Sequence, residues 1–323
     1  MDGPRAPSGY VASMPSRSAI VLSSILALSC ASGADSTTGP KEALDSAAGP
    51  GVDPACDAWL EASPHAPSET LCDNPVDRAL DQIQQDGVRA VPLPSGRTSL
   101  IWIPDDWFTR SERSALVLIH GSVGCPEGIY GNARLVFGDE HALISLSFAQ
   151  PDGTYLESES LQADLDATVA ELEGACPMTD TTWMLYGLSR GGLRATQLGA
   201  RDRMGPRRMS GVVVDSGTAP NRQLQGLSFA GARFLFWCGA NDPDPVQEGR
   251  YTCEVMTDDV VPFLMDSGAL IDDVLIGEDA CHGMYEWDCS ADCERCAGQA
   301  GIDSAGPHAE AVAAWLRQVA AGG

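Results

Sequence analysis

The sequence predicts an α/β protein with a mostly parallel central sheet and helices on both faces of that sheet. Several short segments are continuously apolar, which is typical of strands buried on both sides, and examples are ALVLI at 115–119 and FLFW at 234–237. These segments alternate with segments of helical periodicity, and alternating strands and helices fold into parallel sheets. A length of 323 residues with 44% hydrophobic residues suffices for one large domain of this class.

Residues 1–30 are typical of a lipoprotein-type signal peptide. Arg5 and Arg17 precede an apolar run, SAIVLSSILAL at 18–28, that is too short to span a membrane. The run continues into LALSC, which resembles a bacterial lipobox, so Cys30 is the predicted lipidation site. An ordinary secretory signal that is cut nearby is the alternative. Without Cys30, ten of the eleven cysteines remain, and an even number suits complete disulfide pairing.

The domain itself is predicted to span residues 56–323. Residues 31–55 are rich in Ala, Gly, Ser, Asp and Pro and have almost no bulky apolar side chain, which predicts a flexible linker. From Cys56 to about Leu93 we expect a short N-terminal region that is stapled by a disulfide between Cys56 and Cys72.

Further strands and helices follow in order along the domain. RTSLIWIP at 97–104 has the alternating and β-branched residues of a strand, and apolar side chains at a spacing of three to four residues give 161–172 one buried helical face. The last helix has Pro at its start. The predicted strands are 97–104, 115–119, 142–148, 183–186, 211–214, 234–237 and 270–276, and the predicted helices are 161–172, the segment after the strand at 183–186 up to residue 200, about 255–265, and 307–319. No insertion is long enough for a large lid domain.

The segment TWMLYGLSRGG at 182–192 combines a buried strand, a Gly-x-Ser-x-Gly turn and the start of a helix. A strand that turns sharply into a helix holds the residue in the turn, Ser189, in a strained conformation, and Gly187 and Gly191 remove side chains that would collide there. The Ser189 hydroxyl would stand at a helix N-terminus, where N–H groups favour negative charge. The pattern predicts a nucleophile elbow. A glycine-rich turn with only a structural role is the alternative.

Two polar residues are predicted at the same edge of the sheet as Ser189. Asp242 and His282 each follow a predicted strand, and functional groups of open parallel sheets gather at the carboxyl ends of strands. A serine needs a base to become a good nucleophile, and an aspartate can orient a histidine for that task. Asp244 and Asp215 are alternatives for the acid.

Four segments, in this order, make the chain from about residue 97 to 320 resemble enzymes of the α/β-hydrolase fold. They are HGSVG at 120–124, GLSRGG at 187–192, GANDPD at 239–244 and CHG at 281–283. The resemblance extends to the secreted branch that includes polyhydroxybutyrate depolymerases and feruloyl esterase-like enzymes. It implies a serine hydrolase that cleaves carboxylic esters through an acyl-enzyme, with no metal or organic cofactor.

The resemblance also implies roles for individual residues. Ser189 would be the nucleophile, His282 the base and Asp242 the acid, since Asp242 stands three residues after Gly239, as the family usually shows. The oxyanion hole would consist of the backbone N–H groups of Ser122 and Arg190. A serine peptidase of the same fold is one alternative function, and a non-catalytic, surface-binding lipoprotein is another.

Charge and cysteine content restrict the partners. The formal net charge is −25, and Lys41 is the only lysine, which argues against nucleic-acid binding. The resemblance implies a small or polymeric ester as substrate. We expect contact with a membrane only through a lipid anchor at Cys30, and a monomer.

The cysteines near the C-terminus predict disulfides rather than a zinc site, because the chain is predicted to be exported. These residues are Cys281, Cys289, Cys293 and Cys296. One further expected bridge is Cys238–Cys281, which would tie the acid-bearing loop to the histidine-bearing loop.

Overall fold

The chain folds around a central sheet whose strands are connected mainly by helices. The computed structural model describes residues 54–65, 77–122, 124–147, 156–200, 209–217, 219–242, 252–278, 280, 282 and 307–322, which all belong to one compact unit. The strands are β1 (Arg89–Pro92), β2 (Thr98–Trp102), β3 (Arg113–Ile119), β4 (Ala142–Leu146), β5 (Thr181–Leu188), β6 (Met209–Asp215), β7 (Arg233–Gly239) and β8 (Leu270–Gly277).

The helices flank these strands. They are α1 (Pro54–Glu61), α2 (Asp77–Asp86), α3 (Pro126–Phe137), α4 (Ser158–Ala175), α5 (Arg190–Ala200), α6 (Asn221–Leu224), α7 (Cys253–Val255), α8 (Val261–Asp266) and α9 (Pro307–Ala320). A short 3-10 helix covers Trp107–Thr109, and a π-helical turn, Met256–Val260, joins α7 to α8.

Within the described residues, eight strands form one sheet in the order β1-β2-β4-β3-β5-β6-β7-β8. The neighbours from β4 to β8 run parallel, whereas β1 with β2 and β2 with β4 pair antiparallel. The prediction of a mostly parallel sheet is therefore confirmed. All carboxyl ends of β3 to β8 meet at one edge, which is where the candidate residues were expected.

Two hydrophobic clusters cover the two faces of the sheet. One cluster contains apolar side chains of α1, α4, α5 and α8, and the other contains those of α2, α3 and α9. Successive residues of β3 alternate between them: Val117 belongs to the first cluster and Leu118 to the second. The strands are therefore buried on both sides by helices, as predicted.

The structure adds elements that the sequence analysis did not predict. Helix α1 begins at Pro54, just inside the segment interpreted as linker, and α2 and β1 occupy part of the region before residue 93. Helix α3 was also not predicted. It begins where the Cys125 sulfur accepts a hydrogen bond from the Gly128 N–H, with Pro126 in the first helical position.

The predicted disulfide between Cys56 and Cys72 is wrong, because Cys56 is bonded to Cys176 with 4.6 Å between their Cα atoms. Helix α1 packs on α4, and Cys176 caps the C-terminus of α4, so the two sulfurs lie together although 120 residues separate them in sequence. This disulfide joins the N-terminal region to the main body of the domain rather than closing a local loop.

The predicted disulfide between Cys238 and Cys281 is also wrong, because Cys238 is bonded to Cys253. Strands β7 and β8 are neighbours, as that prediction required. However, the Cys238 side chain lies on the face covered by α8, and Cys253 packs against the same cluster, whereas Ala280 belongs to the cluster on the opposite face. Cys125 is disulfide-bonded as well. Cys72, Cys281 and the other C-terminal cysteines lie outside the described residues.

The disulfides indicate that the chain folds in an oxidising environment. None of the helices in the described ranges is long and apolar enough to cross a bilayer.

Among the strands that the structure describes, β8 stands at one end of the sheet. Its pairing with β7 is shifted in register between Phe234 and Leu235, which leaves Asp272 as an extra residue on β8. The Asp273 carboxylate accepts a hydrogen bond of 2.8 Å from the Val274 N–H. Asp272 contacts Arg233 and the indole N–H of Trp315, each at 2.9 Å.

Candidate active site

Ser189 lies in the turn between β5 and α5 with a backbone φ of 56°, in the left-handed region that residues other than glycine rarely adopt. Its N–H donates to the Asp215 carbonyl oxygen (2.7 Å), and its own carbonyl oxygen accepts from the Leu193 N–H (3.2 Å). The strained turn is thus held between strand β6 and the first turn of α5. The predicted conformation of the elbow is present.

The glycines around Ser189 are required by close backbone contacts. A Cβ atom on Gly187 would lie 2.3 Å from the Gly191 carbonyl oxygen, and one on Gly191 would lie 2.0 Å from the Ile119 carbonyl oxygen. A Cβ atom on Gly217 would lie 2.0 Å from the Ser189 carbonyl oxygen. Real Cβ atoms do not approach so closely, so no other residue type fits without displacing the backbone.

The loop after β3 lies directly against Ser189. A Cβ atom on Gly121 would be 3.2 Å from the Ser189 Cβ and 3.8 Å from its Oγ, so the loop backbone passes beside the hydroxyl group. The Gly124 N–H donates to the Gly121 carbonyl oxygen (3.2 Å), which closes the loop into a turn. Ser122 is half-buried within this turn, and Arg190 is the first residue of α5.

His120 supports this loop from the protein interior. Burial lowers the pKa of His120 to about 4, so the imidazole is neutral at neutral pH. Its Nδ1 lies 2.8 Å from the Gly121 carbonyl oxygen, and since a carbonyl oxygen only accepts, Nδ1 donates the proton. The ring thereby fixes the peptide that follows it.

A buried pair of polar side chains supports the start of α3, immediately after the loop. The side chains of His65 and Glu127 are 1% and 0% exposed, and His65 Nε2 lies 3.2 Å from Glu127 Oε1. His65 is fixed in turn, because its N–H donates to the Val88 carbonyl oxygen. Neither residue was predicted to have a role, because the position of a histidine so early in the chain does not reveal its contact with Glu127.

The structure brings Asp242 and His282 into direct contact. His282 Nδ1 lies 2.6 Å from Asp242 Oδ2, and the side chains are 35% and 2% exposed. The carboxylate is therefore buried, whereas the imidazole reaches the surface of the sheet edge. An imidazole whose Nδ1 is bonded to a carboxylate has Nε2 as its proton acceptor.

Ser189 stands at the same sheet edge, at the end of β5. Among the described residues, its Oγ forms no hydrogen bond with His282.

The alternative acids differ from Asp242 in their surroundings. Asp215 is fully buried beneath the elbow, where its carboxylate accepts hydrogen bonds from the Tyr186 hydroxyl and from the Ser216 hydroxyl (2.9 Å). These contacts engage both of its carboxylate oxygens. Asp244 lies outside the described residues, as does the predicted lipidation site, Cys30.

No protein-family model and no curated protein sequence matches this chain. Solved structures do match. An esterase from Pyrococcus furiosus superposes with a TM-score of 0.51 at 11% identity, over 79% of this chain and 98% of that chain. An α/β hydrolase from a Medee basin deep-sea metagenome library gives a TM-score of 0.49 at 13% identity, over 72% of this chain and 98% of that chain. A carboxylesterase from Bacillus cereus gives a TM-score of 0.44 at 13% identity, over 75% of this chain and 99% of that chain.

Identities this low show the fold alone. The first of these superpositions and the strand order described above show that the protein has the α/β-hydrolase fold. The fold that the four sequence motifs predicted is therefore confirmed.

Proposed function

We propose that the protein is a serine hydrolase that cleaves carboxylic esters, with Ser189 as nucleophile, His282 as general base and Asp242 as the acid. The observation that carries the proposal is the 2.6 Å contact between His282 and a buried Asp242, at the sheet edge where Ser189 stands in a strained turn. A serine at such a turn and a histidine oriented by a carboxylate are the parts that acyl transfer requires.

The proposed reaction begins with a proton transfer. His282 Nε2 takes the proton of Ser189 Oγ as Oγ bonds to the ester carbonyl carbon, and the carbonyl oxygen becomes an oxyanion. When the tetrahedral intermediate collapses, the ester C–O bond breaks and the protonated His282 gives its proton to the leaving alkoxide. Water then attacks the acyl-enzyme with the same base, which releases the acid and restores Ser189.

Asp242 would act through His282. The bond to Nδ1 fixes the ring so that Nε2 is the proton acceptor, and the negative charge stabilises the imidazolium that forms. Only 2% of the Asp242 side chain is exposed, so water screens this interaction little. Hydrogen bonds between a catalytic serine and its base are often long without substrate and shorten when substrate binds, which is what we expect of Ser189 and His282.

The oxyanion would be stabilised by backbone N–H groups. Arg190 supplies one at the N-terminus of α5, and Ser122 supplies the other from the loop that passes beside Ser189. Each donor of this kind contributes roughly 3–4 kcal/mol to transition-state stabilisation. The contribution of Arg190 comes from its backbone position and does not depend on its charge.

The substrate class and location belong to the same proposal. An esterase shares the fold, and the motifs resemble secreted polyester depolymerases and feruloyl esterases, so we propose a small or polymeric carboxylic ester as substrate. The predicted signal and the disulfides support export, with a lipid anchor at Cys30. If Cys30 carries the lipid anchor, wild-type protein should be found in the membrane fraction and a Cys30→Ala variant should not.

The decisive experiment combines active-site labelling with ester hydrolysis. A fluorophosphonate probe should label the folded protein at Ser189, and p-nitrophenyl esters of varied acyl length should be hydrolysed. A Ser189→Ala variant should lose the label and at least about 10⁴-fold of kcat, because the remaining groups catalyse only weakly without the nucleophile. Polyester film and feruloyl esters in the same panel identify the substrate class.

Three outcomes would count against this proposal. If folded wild-type protein is not labelled, the protein is a binding protein on a hydrolase scaffold. Peptide hydrolysis without ester hydrolysis would indicate a peptidase. Activity that survives in Ser189→Ala would exclude Ser189 as the nucleophile.

A further inference from the structure

The loops that carry Asp242 and His282 are joined to each other directly. Just after β7, the Ala240 N–H donates to the carbonyl oxygen of Gly277, the last residue of β8 (2.9 Å). The next N–H, of Asn241, donates to the Ala280 carbonyl oxygen beyond β8 (3.0 Å). Hydrogen bonding between the strands therefore continues into the two loops, up to the residue before Asp242.

Asn241 makes a second contact with the same loop. Its side-chain Nδ2 donates to the Glu278 carbonyl oxygen at 3.3 Å, so this residue holds the histidine-bearing loop at two carbonyl groups, those of Glu278 and Ala280. The side chain is exposed and contributes nothing to the hydrophobic clusters. A substitution that removes the side-chain amide would therefore remove the bond to Glu278 without disturbing the core.

Each of the two loops is also fixed internally. The Asp242 N–H donates to the Gly239 carbonyl oxygen (3.2 Å), and the Ala280 N–H donates to the Gly277 carbonyl oxygen (3.0 Å), so each strand ends in a closed turn. The Cys238–Cys253 disulfide ties the chain immediately before the acid-bearing loop to α7. Asn241 lies in the first of these turns and is hydrogen-bonded to the second loop, so the two loops would move together.

We propose that Asn241 is a positioning residue that locks the Asp242 loop to the His282 loop and thereby keeps the carboxylate and the imidazole in register. This inference rests on the proposed function, because it concerns the geometry of the same Asp242–His282 pair. Asn241 has no part in the proton transfers proposed above. It acts through the two backbones that it connects.

Geometry explains why such a lock would affect the rate. A displacement of about 1 Å in a catalytic group can cost on the order of a hundredfold in rate. The Asp242–His282 bond spans two loops on different strands, so a relative shift of the loops changes that distance directly. Substrate binding depends on other parts of the site, so the loss should fall on kcat rather than on KM.

The test uses three substitutions at Asn241 and one control. Asn241→Ala removes the side-chain donor and should lower kcat about threefold to tenfold with little change in KM, the effect of one hydrogen bond. Asn241→Asp places a carboxylate against the Glu278 carbonyl oxygen and should lower kcat at least as much. Asn241→Gln keeps an amide donor and should restore most of the loss. Gln82→Ala on α2 removes an amide that bonds Asp86 within one helix and should leave kcat unchanged.

A spectroscopic measurement separates positioning from general destabilisation. The far-downfield proton resonance of the His282 Nδ1–H, bonded to Asp242, should broaden or weaken in Asn241→Ala and return in Asn241→Gln. The thermal midpoint, measured on the same samples, should change little in all the variants. If kcat and this resonance are the same in Asn241→Ala as in wild type, the inference is wrong. The inference is also wrong if Asn241→Ala lowers the thermal midpoint, kcat and the intensity of this resonance together and Asn241→Gln restores none of them.

Failure of the inference can be told apart from failure of the proposed function. The proposed function fails if wild-type protein is inactive or Ser189→Ala stays active. The inference alone fails if wild type is active, Ser189→Ala is inactive and the Asn241 variants match wild type.

Discussion

The backbone of Ser189 is in a conformation that costs roughly 1–3 kcal/mol, and its surroundings hold it there. The contacts that hold it come from three neighbouring segments: β6 through Asp215, the first turn of α5 through Leu193, and the loop at Gly217. The hydroxyl is thus presented beside Gly121 before any substrate arrives. Preorganisation at this residue therefore depends on close backbone packing.

Gly191 offers a direct test of that packing. A Gly191→Ala variant would place a methyl group 2.0 Å from the Ile119 carbonyl oxygen and 2.6 Å from that of His120. Neither backbone segment can move without displacing β3 or the elbow. We expect a loss of unfolding free energy of about 3 kcal/mol or more and loss of fluorophosphonate labelling, measured by urea denaturation and gel fluorescence.

Gly174 in α4 is the matched control, because a Cβ atom there has no neighbour within 4 Å. Gly174→Ala should be neutral or stabilise the protein by up to about 1 kcal/mol, since alanine favours the helix. If both variants are equally stable and active, the elbow tolerates the methyl group and the steric explanation fails.

The role of a single residue can be predicted from the sequence only where few residue types can fill that role. The Gly-Leu-Ser-Arg-Gly turn could be predicted because few residue types fit its backbone. Asn241 and Glu127 could not, because a polar residue in a loop or a first helical turn looks the same whether it binds a neighbouring loop or water. The assignment of Ser189, Asp242 and His282 as a triad stays a prediction for the labelling experiment.

Helices α2 and α3 are joined by one partly buried polar cluster. Asp86 bonds Arg134 through both carboxylate oxygens, with Nε–Oδ2 at 2.7 Å and Nη2–Oδ1 at 3.2 Å, and also accepts from the Tyr130 hydroxyl. The Arg134 guanidinium lies 3.9 Å from the ring centre of Trp102 on β2. Burial and the nearby carboxylate raise the pKa of Tyr130, so its hydroxyl stays protonated and donates.

Removal of Asp86 should therefore weaken the contact between these helices. Asp86→Ala leaves the Tyr130 hydroxyl and much of the guanidinium buried without their acceptor, and we expect a loss of about 2–4 kcal/mol in unfolding free energy. Asp139 also pairs with Arg134, at 2.6 Å, but its side chain is 69% exposed compared with 9% for Asp86. Asp139→Ala should cost less than about 1 kcal/mol. Equal costs in urea denaturation would show that burial does not decide the strength of these pairs.

The elements that could be predicted are those whose pattern is set by burial. Strands β3, β6 and β7 lie between two helical layers, so their sequences are continuously apolar. Strand β1 is short, lies at an edge and ends in proline, and α3 begins at a sulfur cap, so neither has a comparable pattern. The disulfide pairings depend on which face of the sheet a side chain meets, and spacing along the chain does not contain that information.

For the whole molecule, two buried histidines link stability to pH. Burial lowers the pKa of both His120 and His141 to about 4, from an ordinary value of 6.5. Between these two pH values the unfolded chain binds a proton at each histidine and the folded chain does not. Stability therefore falls as pH decreases from about 6.5 to about 4, by roughly 3 kcal/mol for each histidine at the lower limit.

A variant at His141 isolates this effect away from the proposed active site. His141→Gln removes one of the two groups, so its unfolding free energy should decrease less than that of wild type between pH 7.5 and pH 4.5, by about 2–3 kcal/mol. Carboxylates titrate in the same range, and comparison of the two proteins cancels their contribution. Urea denaturation at both pH values provides the measurement, and parallel losses would contradict the assignment.

The carboxylates of Asp272 and Asp273 on β8 disfavour association between copies of this protein through that strand. An exposed edge strand such as β8 can pair with the same strand of a second copy, which would join the two sheets. In an antiparallel pairing centred on Asp272 and Asp273, carboxylates of both copies would face one another, the bulge would break the alignment, and the Val274 N–H would have to release the Asp273 side chain. Leu270 and Ile276 on the same strand are exposed, and the carboxylates between them disfavour edge-to-edge pairing there. We therefore expect copies of this protein to remain separate molecules in solution.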